Sequence, residues 1–153
     1  MRKIKFRGKS IFDWENHKWI YGYYVYRVYR EVDGGMDGTI PERNVDIIIS
    51  SEEHFVENKV LPETVTEFTG AYDREGNEIY EGDIIEAIYP SGDKLRSQIS
   101  FVDSVCCFAL KPPLKTPTTD AMQLRPFRSE KFYKVIGNIY DNPELLEEEE
   151  IDD

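Results

Sequence analysis

The chain has 153 residues, a net charge of −11, 40% hydrophobic and 13% aromatic content, and ten tyrosines. That length suits one domain of ordinary size or two very small ones sharing a core, and the aromatic weight favours strands and interfaces over long helices. The acidity argues against broad binding along a phosphate backbone, which needs Lys and Arg to neutralise phosphates.

The charge is unevenly placed. Residues 1–30 hold eight Lys/Arg against Asp13 and Glu15, whereas 141–153 hold eight Asp/Glu and no base. No apolar run reaches membrane length and no charged-then-apolar leader opens the chain, so a cytoplasmic location with no membrane contact is expected. The two cysteines, Cys106 and Cys107, are adjacent. Neighbours on a strand point to opposite faces, which disfavours a disulfide between them.

Residues 2–9 alternate, with Ile4 and Phe6 on one side and Lys3, Lys5 and Arg7 on the other, which predicts a half-buried strand. A polar turn at 13–18 leads into a long second strand, 19–30. One face of it carries Trp19, Tyr21, Tyr23, Val25, Arg27 and Tyr29; the other carries Ile20, Gly22, Tyr24, Tyr26, Val28 and Arg30. Neither face is plainly polar, so the strand is expected to be covered on both sides, by the fold or by another subunit. The glycine-rich stretch 31–44 reads as a mobile loop and 45–50 as a short strand. Ser50 to Glu53 offer a cap for one helical turn, which Pro62 soon closes off.

Strands are expected at 63–69, 83–90, 94–102, 105–110 and 131–140, with a hairpin over 71–79. The prolines at 112, 113 and 117 exclude a central strand from 111–120. Asp141 and Asn142 can cap a helical turn beginning at Pro143, after which the acidic tail runs into solvent. The pattern predicts a mainly β protein with at most short helical turns: an amino-terminal β-hairpin layer over 1–60, a small SH3-like barrel over 61–142, and a turn with acidic tail over 143–153, or one composite domain of these parts.

Three constellations could carry chemistry. Asp73, Glu75, Glu78, Glu81 and Asp83 place five carboxylates in eleven residues, and paired carboxylates can do acid–base work or bind a divalent cation. The spacing does not follow a calcium loop, however, and Asp73, Gly76, Gly82 and Asp83 fit the demands of turns, where Asp caps and Gly takes positive φ. His17 and His54 stand in no ligand spacing, and Cys106-Cys107 lacks the C-x-x-C arrangement of zinc or redox sites. The expectation is therefore no enzyme, with no catalytic residue, no cofactor and no metal.

The third constellation is the aromatic strand. Trp19, Tyr21, Tyr23, Tyr24, Tyr26 and Tyr29, interleaved with Arg27 and Arg30, form a candidate interaction surface. Tyr and Arg are favoured where protein subunits meet, so a homo-oligomer or a contact with another protein is the first reading. With Lys3, Lys5 and Arg7 the same strand also offers a stacking platform with a basic rim, the chemistry by which small β-barrels hold single-stranded nucleic acid. The overall acidity weighs against that alternative.

The chain also resembles the YopX-like family of phage and prophage proteins. The resemblance rests on IKFRGK and KWIYG at residues 4–9 and 18–22, on LPETVTEFTGAYDREGNEIYEGDII at 61–85, and on VIGNIYDNPELL at 135–146. It implies a gene carried by a bacteriophage or prophage, a β-rich fold and a ring-like or other homo-oligomer; a phage accessory protein of this kind is expected to bind a host or phage protein in the cytoplasm of the bacterial host. It implies no reaction, because the family's motif residues have no catalytic role to carry over. The loop at 33–38 and the acidic tail lie outside the matching segments.

Overall fold

The structure is a computed structural model that describes residues 3–12, 18–30, 42–50, 56–88, 94–111, 125–126 and 133–147. The expected polar turn after residue 12, most of the loop at 31–44, the helical turn at 51–53, the proline-rich loop, the acidic tail, His17 and His54 lie outside these residues. The described chain is mainly β, as the alternation predicted. Among the described residues eleven strands pair antiparallel, and the helical content is confined to short 3-10 turns. Among the described residues no helix is long and apolar enough to cross a membrane. The chain divides into two compact units, Lys3–Glu67 and Phe68–Asp153.

In the first unit the strands are β1 (Phe6–Lys9), β2 (Trp19–Arg30), β3 (Glu42–Ser50) and β4 (Val56–Lys59), with the first residues of β5 (Thr66–Tyr72). β2 hands over between two partners. Its residues 19–22 pair with β1, from Lys9↔Trp19 to Phe6↔Gly22; its residues 23–30 pair with β3, from Tyr23↔Ile49 to Arg30↔Glu42. β1 also pairs with β5 through Arg7↔Thr66, and β3 with β4 through Ile47↔Lys59 to Ser50↔Val56. Ile48, Val60 and Gly8 are buried together on one face of this ladder.

Several strand assignments differ from the sequence reading. The strand expected at 63–69 runs Thr66–Tyr72 after a 3-10 turn at Pro62–Thr64, and the one expected at 105–110 runs Cys107–Lys111 after a 3-10 turn at Asp103–Val105. The short strand Arg125–Pro126 was not expected. Glu42, Arg43 and Asn44, expected in a mobile loop, open β3, because the long β2 supplies a backbone partner for each of them. β4 was not expected at all: Val56-Glu57-Asn58-Lys59 has little apolar alternation and is held by backbone pairing to β3.

The second unit contains the remainder of β5, β6 (Glu78–Tyr80), β7 (Asp83–Ile88), β8 (Lys94–Val102), β9 (Cys107–Lys111), β10 (Arg125–Pro126) and β11 (Tyr133–Asn138). β5 and β6 form the expected hairpin, and the other five make a sheet in the order β10-β9-β8-β7-β11. Its apolar centre is Ile79, Ile85, Ile99 and Leu110, with Phe108, Tyr133 and Val135 packed against it. Phe68 is buried edge-on to Tyr72 and tilted against Tyr80. The SH3-like closure expected over 61–142 is not formed among the described residues, since β10 and β11 stand at opposite edges of an open sheet.

The carboxy-terminal turn, Pro143–Leu146, forms where expected, but Asn142 at its N-cap makes no side-chain capping hydrogen bond. Asn138 organises the approach instead: its Oδ1 accepts the N–H groups of Tyr140 and Asp141, each at 3.0 Å, and its Nδ2 donates to Asp141 Oδ2 at 2.8 Å.

Candidate functional site

Two regions of the chain concentrate polar and aromatic side chains, and the structure gives them opposite characters. One is the acidic turn region, 73–83. Asp73 is buried, and its carboxylate is a hub. Oδ1 accepts the N–H groups of Glu75 and Asn77, both at 2.9 Å; Oδ2 accepts the Asn77 amide at 3.0 Å and the Val135 N–H at 3.1 Å. Burial pushes this carboxyl up, but the hydrogen bonds from the Asn77 amide and from the N–H groups of Asn77, Val135 and Glu75 outweigh it and hold Asp73 below the ordinary carboxylate range. The turn is completed by Gly76, whose φ of +87° an L side chain rarely adopts.

The other four carboxylates are engaged as well. Asp83 is buried and accepts the Tyr80 N–H at 2.8 Å. Glu78 accepts the Tyr80 hydroxyl at 2.6 Å, Glu81 accepts the Phe101 N–H at 3.1 Å, and Glu75 pairs with Lys134 at 2.8 Å. Gly82, at φ +79°, donates its N–H to Ile99 O and accepts that of Ile139. The five acids do not converge on a common point. No group of three or more potential metal ligands forms among the described residues, and Asp73, Gly76, Gly82 and Asp83 serve the fold of the turn.

The other region is the aromatic strand β2. Alternation sends Trp19, Tyr21, Tyr23 and Arg27 to one face, where two cations of β1 and one just before it lie over the rings. Arg7 sits 4.5 Å from the Trp19 ring centroid, Lys9 lies 5.5 Å from the same ring, and Lys5 lies 5.4 Å from that of Tyr21. Arg7 is itself only 6% exposed, and its Nε donates to Thr66 Oγ1 at 3.2 Å. Arg27 forms a two-pronged pair with Glu57, at 2.7 and 2.8 Å. Tyr21 remains 38% exposed and Tyr23 53%.

The opposite face carries Tyr24 and Tyr26. The Tyr24 ring packs against Phe6 with centroids 5.6 Å apart, and its hydroxyl donates to Asp46 Oδ1 at 2.5 Å. That hydrogen bond, with burial and the Asp46 charge, pushes the phenol up to about 12. A raised folded value means stability present below the ordinary phenol range, near pH 10, and lost as pH rises toward 12. An alkaline absorbance titration should therefore show one late phenol that Tyr24→Phe removes. A titration in which all phenols ionise together would contradict the bond.

Tyr26 lies opposite Asp46 in register and is 53% exposed. Tyr29 and Arg30 continue β2 opposite Arg43 and Glu42, and their side chains lie outside the described residues. The sequence reading missed Asp46 and the burial of Arg7, since neither cross-strand partner is adjacent in the chain.

These features define a mainly β protein whose acidic turn holds backbone and whose longest strand shows aromatic side chains to solvent. The chain belongs to the YopX family, as its motifs suggested: the family profile, described as YopX protein, matches residues 5–147. Among solved structures it is similar to protein EF1440 from Enterococcus faecalis, with 23% identity, 96% of this chain and 100% of that chain covered, and a TM-score of 0.43. A search of curated proteins found no match.

Proposed function

We propose that this protein is a non-enzymatic binding module of phage or prophage origin that associates with itself and with a host or phage protein through β2. The observation that carries the reading is the solvent exposure of Tyr21 and Tyr23 on a strand with no polar face. Exposed tyrosines on a rigid strand bury large area at low entropic cost when a protein partner covers them. The phage origin and the cellular setting are carried over from the motif resemblance alone.

The nucleic-acid alternative draws less support from the same face. Of its proposed cations, Arg7 is buried and hydrogen-bonded, Arg27 is neutralised by Glu57, and Lys5 covers a ring that a base would need. A face on which Arg7, Arg27 and Lys5 are so engaged and the rings are partly covered suits a protein surface better than a polyanion.

Light scattering behind size-exclusion chromatography tests the assembly. The wild type is expected as a discrete oligomer, indifferent to a short oligonucleotide, and Tyr21→Ser/Tyr23→Ser as a folded monomer. A wild-type monomer, or an oligomer untouched by the double substitution, would remove this face from the account.

A further inference from the structure

The two faces of β2 treat charge differently. On the Trp19–Tyr21 face, Arg7 and Lys9 of β1 and Lys5 just before it already stand over the rings. On the other face, Tyr24, Tyr26 and Asp46 come together with no cation among the described residues over them. Tyr24 donates to Oδ1 of Asp46, Tyr26 lies directly across the ladder from Asp46, and no described residue forms an ion pair with that carboxylate. The ladder explains why. β4 continues past Asp46 as Val60, whose N–H donates to the Asp46 carbonyl, so the neighbour there is apolar. Along β3 the same face continues to Ile48, which is buried. The basic neighbours Lys59 and Arg27 belong to the other face by register, opposite Ile47 and Val45.

We propose that the Asp46 carboxylate, with the phenols of Tyr24 and Tyr26, is a recognition site for a cationic side chain carried by a basic peptide segment of a partner protein. The chemistry is the pairing of a guanidinium or ammonium with a carboxylate beside electron-rich ring faces. Tyr24 occupies one carboxylate oxygen and fixes its direction; Oδ2 accepts no hydrogen bond among the described residues. The Phe6–Tyr24 packing holds the first phenol in place, while Tyr26 is exposed and able to close over an arriving side chain. The net charge of −11 favours the encounter of this chain with a basic partner at low salt. The site lies on the face opposite Tyr21 and Tyr23, so it goes beyond the assembly reading and stands or falls without it.

Titration calorimetry at low salt with acetyl-Gly-Arg-Gly-amide, against the same peptide with the uncharged isostere citrulline, tests the site. It is run on the wild type and on Tyr21→Ser/Tyr23→Ser, so that self-association does not enter. The Arg peptide should bind about tenfold more tightly than the citrulline peptide, and Asp46→Asn and Tyr26→Ser should each abolish that preference. Glu63→Gln, which removes the same charge elsewhere in this unit, should leave it intact. Equal binding of the two peptides, or equal losses in Asp46→Asn and Glu63→Gln, would reduce the effect to general attraction by an acidic chain and overturn the proposal. If circular dichroism shows Asp46→Asn unfolded, the exposed Tyr26→Ser decides the matter alone.

Discussion

Asp73→Ala should destabilise the carboxy-terminal unit by roughly 3 kcal/mol or more, because it removes the acceptor from four donors at once. The N–H groups of Glu75, Asn77 and Val135 and the amide of Asn77 all end on this one buried carboxylate. Three of them shape the hairpin turn, and one ties the turn to β11, where Arg74 N–H to Tyr133 O makes a second tie at 3.0 Å. Asp73→Asn keeps the size but turns one acceptor into a donor facing donors, so it should fall between alanine and wild type.

The pH dependence follows from the depressed carboxyl. Its stabilisation is fully present above the unfolded value, about pH 3.9, and is lost as pH falls through the lower folded value. The stability gap between wild type and Asp73→Asn, read by urea unfolding, should therefore be constant near neutrality and narrow below about pH 4. A gap that stayed constant down to pH 2, or an alanine variant within about 1 kcal/mol of wild type, would mean that the hub is not formed.

The two strands whose bounds the sequence predicted to the residue, β2 and β8, are the long ones with sustained β-forming character. β4 escaped because its four residues carry no apolar stripe and depend on β3 for their hydrogen bonds. The acidic turn was legible as a turn, since Asp and Gly stand where local backbone geometry wants them. Its tie to Val135, 62 residues further on, was not, because that contact depends on how β11 is placed in the fold. Arg7 shows the same limit at the candidate surface. Alternation put it with Lys3 and Lys5 on a polar face, but β1 is flanked by β2 and β5, and cross-strand register sets Arg7 between Tyr21 and Thr66, where it is buried. A basic rim read from one strand alone thus overcounts the charge that solvent meets.

Gly22→Ala should have the largest effect of any single methyl addition in the amino-terminal unit, a loss of roughly 3–5 kcal/mol. Gly22 is the last β2 residue paired with β1, immediately before pairing passes to β3. At this handover the two backbones come so close that a Cβ would overlap the Ile49 carbonyl oxygen and stand 2.7 Å from the carbonyl carbon, with Ser50 Cα at 3.1 Å. None of those atoms belongs to a flexible side chain, so β3 must move away and the start of the Tyr23–Arg30 ladder must open. Gly76→Ala supplies the contrast. There the φ of +87° is strained for alanine, but nothing lies within 4 Å, so the cost should be the backbone term alone, about 1–2 kcal/mol. Urea unfolding with amide exchange over 42–50 separates the two: protection of β3 should collapse in Gly22→Ala and persist in Gly76→Ala. The same loss would displace Asp46 from Tyr24 and Tyr26, so the cation-binding preference should vanish with β3 protection while the acidic turn stays intact. Preserved protection in Gly22→Ala would show that β2 and β3 approach less closely than the handover requires.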